Sequence, residues 1–205
     1  MSEPRIESVF GIPLYYNQID NYEKVQQDFD EVLEANEKGE LNDKSKVKFE
    51  KDPQSSNSNF NNELQNNTYQ QHLFETFTLD NFREEININL KTYCDGLNFE
   101  WRPYNIDSSW VVFFERGNWG HLHNHGTVDI SGVYYLKKDS EDGDIYFRSP
   151  ISQAQTSLCF NGGDLQVPTR QGGLLLFPGW LNHGVTTHNS DEERISVSFN
   201  VVFNR

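Results

Sequence analysis

Arg194-Ile195-Ser196-Val197-Ser198-Phe199-Asn200 alternates strictly between two kinds of side chain. In a strand, residues two apart share a face. Arg194, Ser196, Ser198 and Asn200 therefore lie on one side, and Ile195, Val197, Phe199 and Val201 on the other. Such a polar face is commonly the solvent side of a half-buried strand. Turned to the inside of a barrel, it would offer a guanidinium and a hydroxyl to a carboxylate, and the planar fork of Arg suits that task. The run closes a series of β-rich segments: Ser108–Glu115, Val128–Lys137, Asp144–Arg148, Gly173–Phe177, Gly184–His188 and Arg194–Phe203, separated by Gly, Asn, Asp and Pro. Short strands at this spacing predict a mainly β fold, a sandwich or jelly roll.

The preceding half of the chain is different. Residues 6–15 look like a short strand that meets a bend. Tyr22, Val25, Phe29, Val32 and Leu33 recur at helical spacing from Asn21 to about Asn36, with Asp20 or Asn21 able to cap the start. Residues 37–70 are polar and contain a low-complexity Ser/Asn run, a composition that buries too little to order itself well. The part at 53–68 is a lid or a disordered loop. A second helix carries Leu79, Phe82, Ile86, Leu90 and Tyr93 on one stripe, with Gly96 placed to end it. We expect one domain over 1–205, in which a strand, two helices and a polar loop (1–98) pack on a β-barrel core (99–205).

Composition narrows the partners. A formal net charge of −14 argues against nucleic acid and anionic membranes, which need clustered Lys and Arg. No apolar run approaches the roughly 18 residues that span a bilayer. Cys94 and Cys159 are far apart and no secretory leader is recognisable, which predicts a reduced, soluble protein of the cytoplasm.

Five of the six histidines fall between positions 121 and 188. His121, His123 and His125 would share one side of a strand. His183 arrives much later, behind Leu174-Leu175-Leu176-Phe177-Pro178. Imidazole is the commonest metal ligand near neutral pH, so one facial site could take two ligands from the first run and a third from His183. A surface hairpin rich in histidine would give no reason for that distant partner. A cupin-like spacing also fits: Gly117, then His123-Asn124-His125, then Asp129, followed by Gly172, Pro178 and His183. Trp180 stands where that pattern requires glycine.

Trp110, Gly117, His123-Asn124-His125, Ser131-Gly132-Val133-Tyr134-Tyr135, Leu175-Leu176-Phe177-Pro178, His183 and Arg194 through Asn200 together resemble the 2-oxoglutarate/Fe(II) oxygenases common in marine phages and bacteria, within the cupin-like superfamily. The resemblance covers about residues 107–203, and faintly 9–14. It implies a double-stranded β-helix with flanking N-terminal helices, Fe(II) inside the barrel mouth and 2-oxoglutarate as co-substrate. It also implies a dioxygenase, of hydroxylase type, that couples O2-driven decarboxylation of 2-oxoglutarate to oxidation of a small molecule or peptide. Arg194, aided by Ser196, would hold the distal carboxylate, with Tyr135 or Ser131 adding a hydrogen bond. The superfamily's carboxylate position is His125 here, so the ligands are His123, His125 and His183, or a set in which Asp129 supplies the carboxylate. His121 would face substrate or support the ligands, and His188 would be structural or exposed. Trp119, Trp180, Arg116 and Arg148 could lie near the mouth, although packing or solvent would account for each. Two other readings keep the same barrel: a cupin-type metalloenzyme that does not use 2-oxoglutarate, and a non-catalytic binding module.

Overall fold

The computed structural model describes residues 11–38, 40–41, 66–67, 72–139, 142–150 and 163–205. Residues 6–10, most of the 37–70 run and Cys159 lie outside the described residues. The first described strand, β1, is Tyr15–Gln18, and it is followed by two short helices, α1 (Tyr22–Gln27) and α2 (Asp30–Glu37). The sequence predicts one helix there, but the chain turns at Asp28–Phe29. The turn frees the Asp28 carboxylate to accept from Asn81 Nδ2 (2.6 Å) and from the Phe82 N–H (2.8 Å). It thereby satisfies a donor in the first turn of the long helix, where a negative charge is favoured. That helix, α4 (Asp80–Gly96), follows the single turn α3 (Leu73–Thr76) and β2 (Asn66–Asn67). Its buried stripe includes Phe82, Ile86, Leu90 and Tyr93, as the periodicity predicts.

The remaining strands are β3 (Tyr104–Phe114), β4 (Gly120–His123), β5 (Ile130–Lys137), β6 (Ile145–Arg148), β7 (Asp164–Val167), β8 (Gly173–Pro178), β9 (His183–Val185) and β10 (Arg194–Phe203). They form two antiparallel sheets. The larger has the order β1-β8-β5-β10-β3-β2 and the smaller β4-β9-β6-β7. The chain passes repeatedly between the sheets, the winding of a jelly roll or double-stranded β-helix. β7 is not in the sequence-based series; β4 corresponds to the histidine run read as a strand, although it ends at His123 and leaves His125 beyond it.

The large sheet is covered on both faces. Ile195, Val197, Phe199 and Val201 of β10, with Tyr134 and Leu136 of β5 and Leu174 and Leu176 of β8, pack outward against Phe29, Phe82, Ile86 and Leu90 of the helical layer. Burying each such side chain contributes roughly 1.5–3 kcal/mol. Val133, Tyr135, Leu175 and Phe177 point the other way and meet Ile145, Phe147 and Leu181 inside the barrel. The helices thus occupy the side where β10 is apolar, and its polar face turns inward. Gly132 is what lets the sheet close under the helices: a Cβ there would sit 2.1 Å from Phe199 Cζ, the residue directly across the ladder.

Candidate metal centre

Directly opposed residues on β3, β10 and β5 build the barrel interior in rows. Asn200 stands between Ser108 and Ser131, Ser198 between Trp110 and Val133, and Ser196 between Val112 and Tyr135. Arg194 faces Phe114 at the end of the series. Across from these rows, His183 of β9 pairs with His123 of β4, and a register shift between Gly120 and His123 marks a bulge. His125 lies just past β4, where its backbone N–H donates to the Gly179 carbonyl at 2.8 Å.

The three rings converge. One ligand atom from each of His123, His125 and His183 lies within 4.8 Å of the others, and the Nε2 atoms of His123 and His125 are 3.2 Å apart. The opposite nitrogens are all engaged. His123 Nδ1 lies 2.9 Å from the His121 carbonyl and His183 Nδ1 2.8 Å from the Leu181 carbonyl. A carbonyl only accepts, so Nδ1 carries the proton in both rings and Nε2 is left with a bare lone pair. His125 Nδ1 lies 2.6 Å from Asn200 Oδ1, which leaves its Nε2 bare in the same way. Burial, with the neighbouring His123 adding to it, pushes His183 down to about 3; burial also pushes His125 down to about 4. His123 and His121 are lowered as well, chiefly by burial. Neutral imidazoles with lone pairs facing each other repel unless a cation lies between them. Because the rings are already deprotonated at neutral pH, a metal ion need not displace protons to bind. Three neutral imidazole nitrogens are a donor set that would suit a divalent transition metal.

Asp129, the alternative carboxylate, is elsewhere. Its Oδ2 accepts from the Phe203 N–H at 2.8 Å, and the residue lines a separate cavity beside Cys94, Phe99 and Arg102. Among the described residues no carboxylate joins the three histidines.

The triad opens into a cavity of about 360 Å³, whose wall also includes His121, Trp110, Tyr135, Arg194 and Ser196. Arg194 is 1% exposed. Its guanidinium lies between the rings of Phe114 and Tyr135, at 5.0 and 5.1 Å, and Nη1 donates to Ser196 Oγ at 3.3 Å. Among the described residues its Nε has no hydrogen-bond partner, and the buried Tyr135 hydroxyl lies near the guanidinium and Thr169. A buried cation ordinarily requires a pairing anion, and among the described residues no carboxylate forms an ion pair with this one. A guanidinium facing the cavity of the histidine triad in this state fits a ligand carboxylate.

Ser131, expected beside that carboxylate, is instead behind the histidine triad. It is fully buried, with Oγ 2.8 Å from His125 Nδ1 and 2.9 Å from Asn200 Oδ1. Asn200 is the residue that sequence reasoning passed over. Its place on the polar face of β10 was visible, but its contact with His125 depends on the ladder register. His188 is structural: fully buried, with Nε2 donating to the Glu192 carbonyl and Nδ1 3.1 Å from Asp142 Oδ1. Arg116 and Arg148 pair at the surface with Asp191 and Asp164, and neither lines the cavity. Trp119 and Trp180 are exposed.

Residues 108–200 match the family described as "Putative 2OG-Fe(II) oxygenase". The match runs from β3 to β10, just under half of the chain, and leaves the helical layer unmatched. No curated protein matches the chain. Several solved structures are similar. An oxidoreductase of the 2OG-Fe(II) oxygenase family from Burkholderia pseudomallei shares 13% identity at a TM-score of 0.44, over 54% of this chain and 50% of that one. HygX from Streptomyces hygroscopicus, with nickel and 2-oxoglutarate bound, shares 16% at 0.39, over 50% of this chain and 57% of its own. The alpha ketoglutarate dependent epimerase SnoN, from nogalamycin biosynthesis, shares 16% at 0.42, over 54% and 50%. The chain spans about half the length of these structures. No described helix is long and apolar enough to cross a membrane.

Proposed function

We propose that the protein is a 2-oxoglutarate- and Fe(II)-dependent oxygenase, of hydroxylase type, acting on a small molecule or peptide. The observation that carries the reading is the pairing, in one cavity, of three converging imidazole lone pairs with a buried guanidinium that meets no carboxylate among the described residues. The family match over 108–200 supports it. His123, His125 and His183 would hold the iron. Arg194, with Ser196 and with the Tyr135 hydroxyl available beside it, would hold the distal carboxylate of 2-oxoglutarate. Iron and 2-oxoglutarate together supply O2 activation coupled to decarboxylation to succinate, with oxidation of the substrate.

This chain's residues supply the rest. Phe114, Tyr135, Phe177 and Ile145 exclude water from the inner end of the cavity, and the Nδ1 bonds aim each imidazole. Three neutral imidazoles add no charge to a divalent cation, and a dianionic co-substrate would balance it. That arrangement accommodates the absence of the usual carboxylate ligand. A cytoplasmic location (the host cytoplasm for a phage-borne copy) accompanies the proposal, because a reducing compartment suits ferrous iron and the buried free thiol of Cys94.

The test is iron-dependent succinate formation from 2-oxoglutarate under air, absent in His183→Ala. Iron binding without succinate formation or thermal protection by 2-oxoglutarate would favour the cupin-type reading. Absence of metal binding would leave a binding module.

A further inference from the structure

The three histidines are not anchored alike. His123 and His183 each rest Nδ1 on the backbone carbonyl two residues earlier, at 2.9 and 2.8 Å. Those anchors are backbone atoms of the same short segment and do not depend on any neighbouring side chain. His125, which follows the end of β4, depends on side chains of other strands. Asn200 Oδ1 lies 2.6 Å from its Nδ1, and Ser131 Oγ lies 2.8 Å from the same nitrogen. Asn200 is itself fixed from both sides of the ladder. Ser131 donates to its Oδ1 at 2.9 Å, and its Nδ2 donates to Ser108 Oγ at 2.9 Å. Asn200 and Ser131 are buried at 6% and 0% exposure, so water does not replace these bonds cheaply.

We infer that Asn200 is the positioning residue of the metal centre: its amide oxygen holds the proton of His125 on Nδ1 and so turns the bare Nε2 toward His123 and His183. The amide orientation matters. With its NH2 turned to His125, the ring would have to accept at Nδ1 and carry its proton on Nε2, where the metal would bind. In the structure Oδ1 faces His125 and Ser131, and Nδ2 faces Ser108; the two hydroxyls can donate or accept and so serve this orientation. Asn200 also makes this anchor neutral. Metal-bound histidines often donate their second N–H to a carboxylate, which raises ligand basicity. Asn200 supplies the direction without that charge, at the one ligand position where the usual carboxylate is missing. The inference rests on the triad holding a metal, but not on the identity of the co-substrate.

The experiment is a Co(II) titration of the metal-free full chain, without 2-oxoglutarate, read by the visible ligand-field absorption and the dissociation constant. Asn200→Leu keeps the volume and removes the acceptor; about a 10- to 100-fold loss of Co(II) affinity is expected, with an altered spectrum. Asn200→Asp restores the acceptor and adds charge, and should bind Co(II) at least as tightly as the native chain with a shifted band. In a His125→Ala background, Asn200→Leu should cost nothing further, because the effect passes through His125. A merely structural role would lower the thermal midpoint of all the variants and leave Co(II) affinity within about twofold of native; that result overturns the proposal. Where Asn200→Leu does not fold, an Asn200→Asp protein with native affinity and spectrum overturns it equally. A native protein that takes up no cobalt overturns the metal reading along with it.

Discussion

Arg194→Met keeps most of the side chain's stem and removes its charge. In the ligand-free protein, the variant loses two ring contacts at 5.0 and 5.1 Å, each worth about 0.5–2 kcal/mol, and one hydrogen bond to Ser196 worth about 1 kcal/mol. Against these losses stands the cost of holding a guanidinium at 1% exposure with Nε unpartnered, several kcal/mol. The terms oppose each other, so the ligand-free variant should be within about 1 kcal/mol of native stability, or above it. Binding should respond very differently. Removing one partner of a buried, hydrogen-bonded charge pair costs about 2–5 kcal/mol, or about 30-fold to several thousand-fold in affinity. Thermal denaturation of the nickel-loaded protein, with and without 2-oxoglutarate, reads both effects. At 100 times its dissociation constant the ligand should add about 2.7 kcal/mol to the native protein, roughly 5–11 °C for a chain of this size. At the same concentration Arg194→Met should gain under about 1 kcal/mol. An unchanged ligand-induced shift would refute the carboxylate role. A ligand-free loss above about 3 kcal/mol would show instead that the guanidinium is structural.

Asp129→Asn should retain full metal occupancy by elemental analysis, because Asp129 serves the Phe203 N–H; the cost should stay near 1 kcal/mol. Loss of metal would return Asp129 to the ligand set. Acid should destabilise the metal-free protein through the triad. His183 and His125 sit at about 3 and about 4, while the unfolded chain takes up these protons near pH 6.5. Stability is therefore complete above about pH 6.5 and is lost as pH falls toward 4 and then 3, at about 1.4 kcal/mol per unit for each ring. Urea midpoints in the presence of chelator should follow that slope, and His183→Leu should flatten it; equal slopes in the two proteins would show that the His183 ring is already charged when folded. Gly132→Ala drives a methyl to 2.1 Å from the Phe199 ring. It should cost at least about 2 kcal/mol in chemical denaturation, and a neutral result would mean the helical layer shifts freely.

Much of the molecule is written in local sequence. The alternation from Arg194 to Asn200 determines two faces whatever the fold, because a strand's side chains point to opposite sides. The stripe from Phe82 to Tyr93 determines a helix in the same way, and His123, His125 and His183 are the residue types a metal needs. What each face meets is not local. Tertiary structure decided that the helical layer covers Ile195, Val197 and Phe199, and this alone turned Arg194 into the barrel and away from solvent. The ladder register, set by bulges beside Ser196 and Asn200, decided that Ser131 and Asn200 meet His125. Asp129 had suitable chemistry and spacing, but its carboxylate is spent on the Phe203 N–H. Periodicity is a property of neighbouring residues, whereas the contents of a cavity depend on which distant strands are paired and in what register. The sequence therefore determined the candidates, and packing determined which of them face one another.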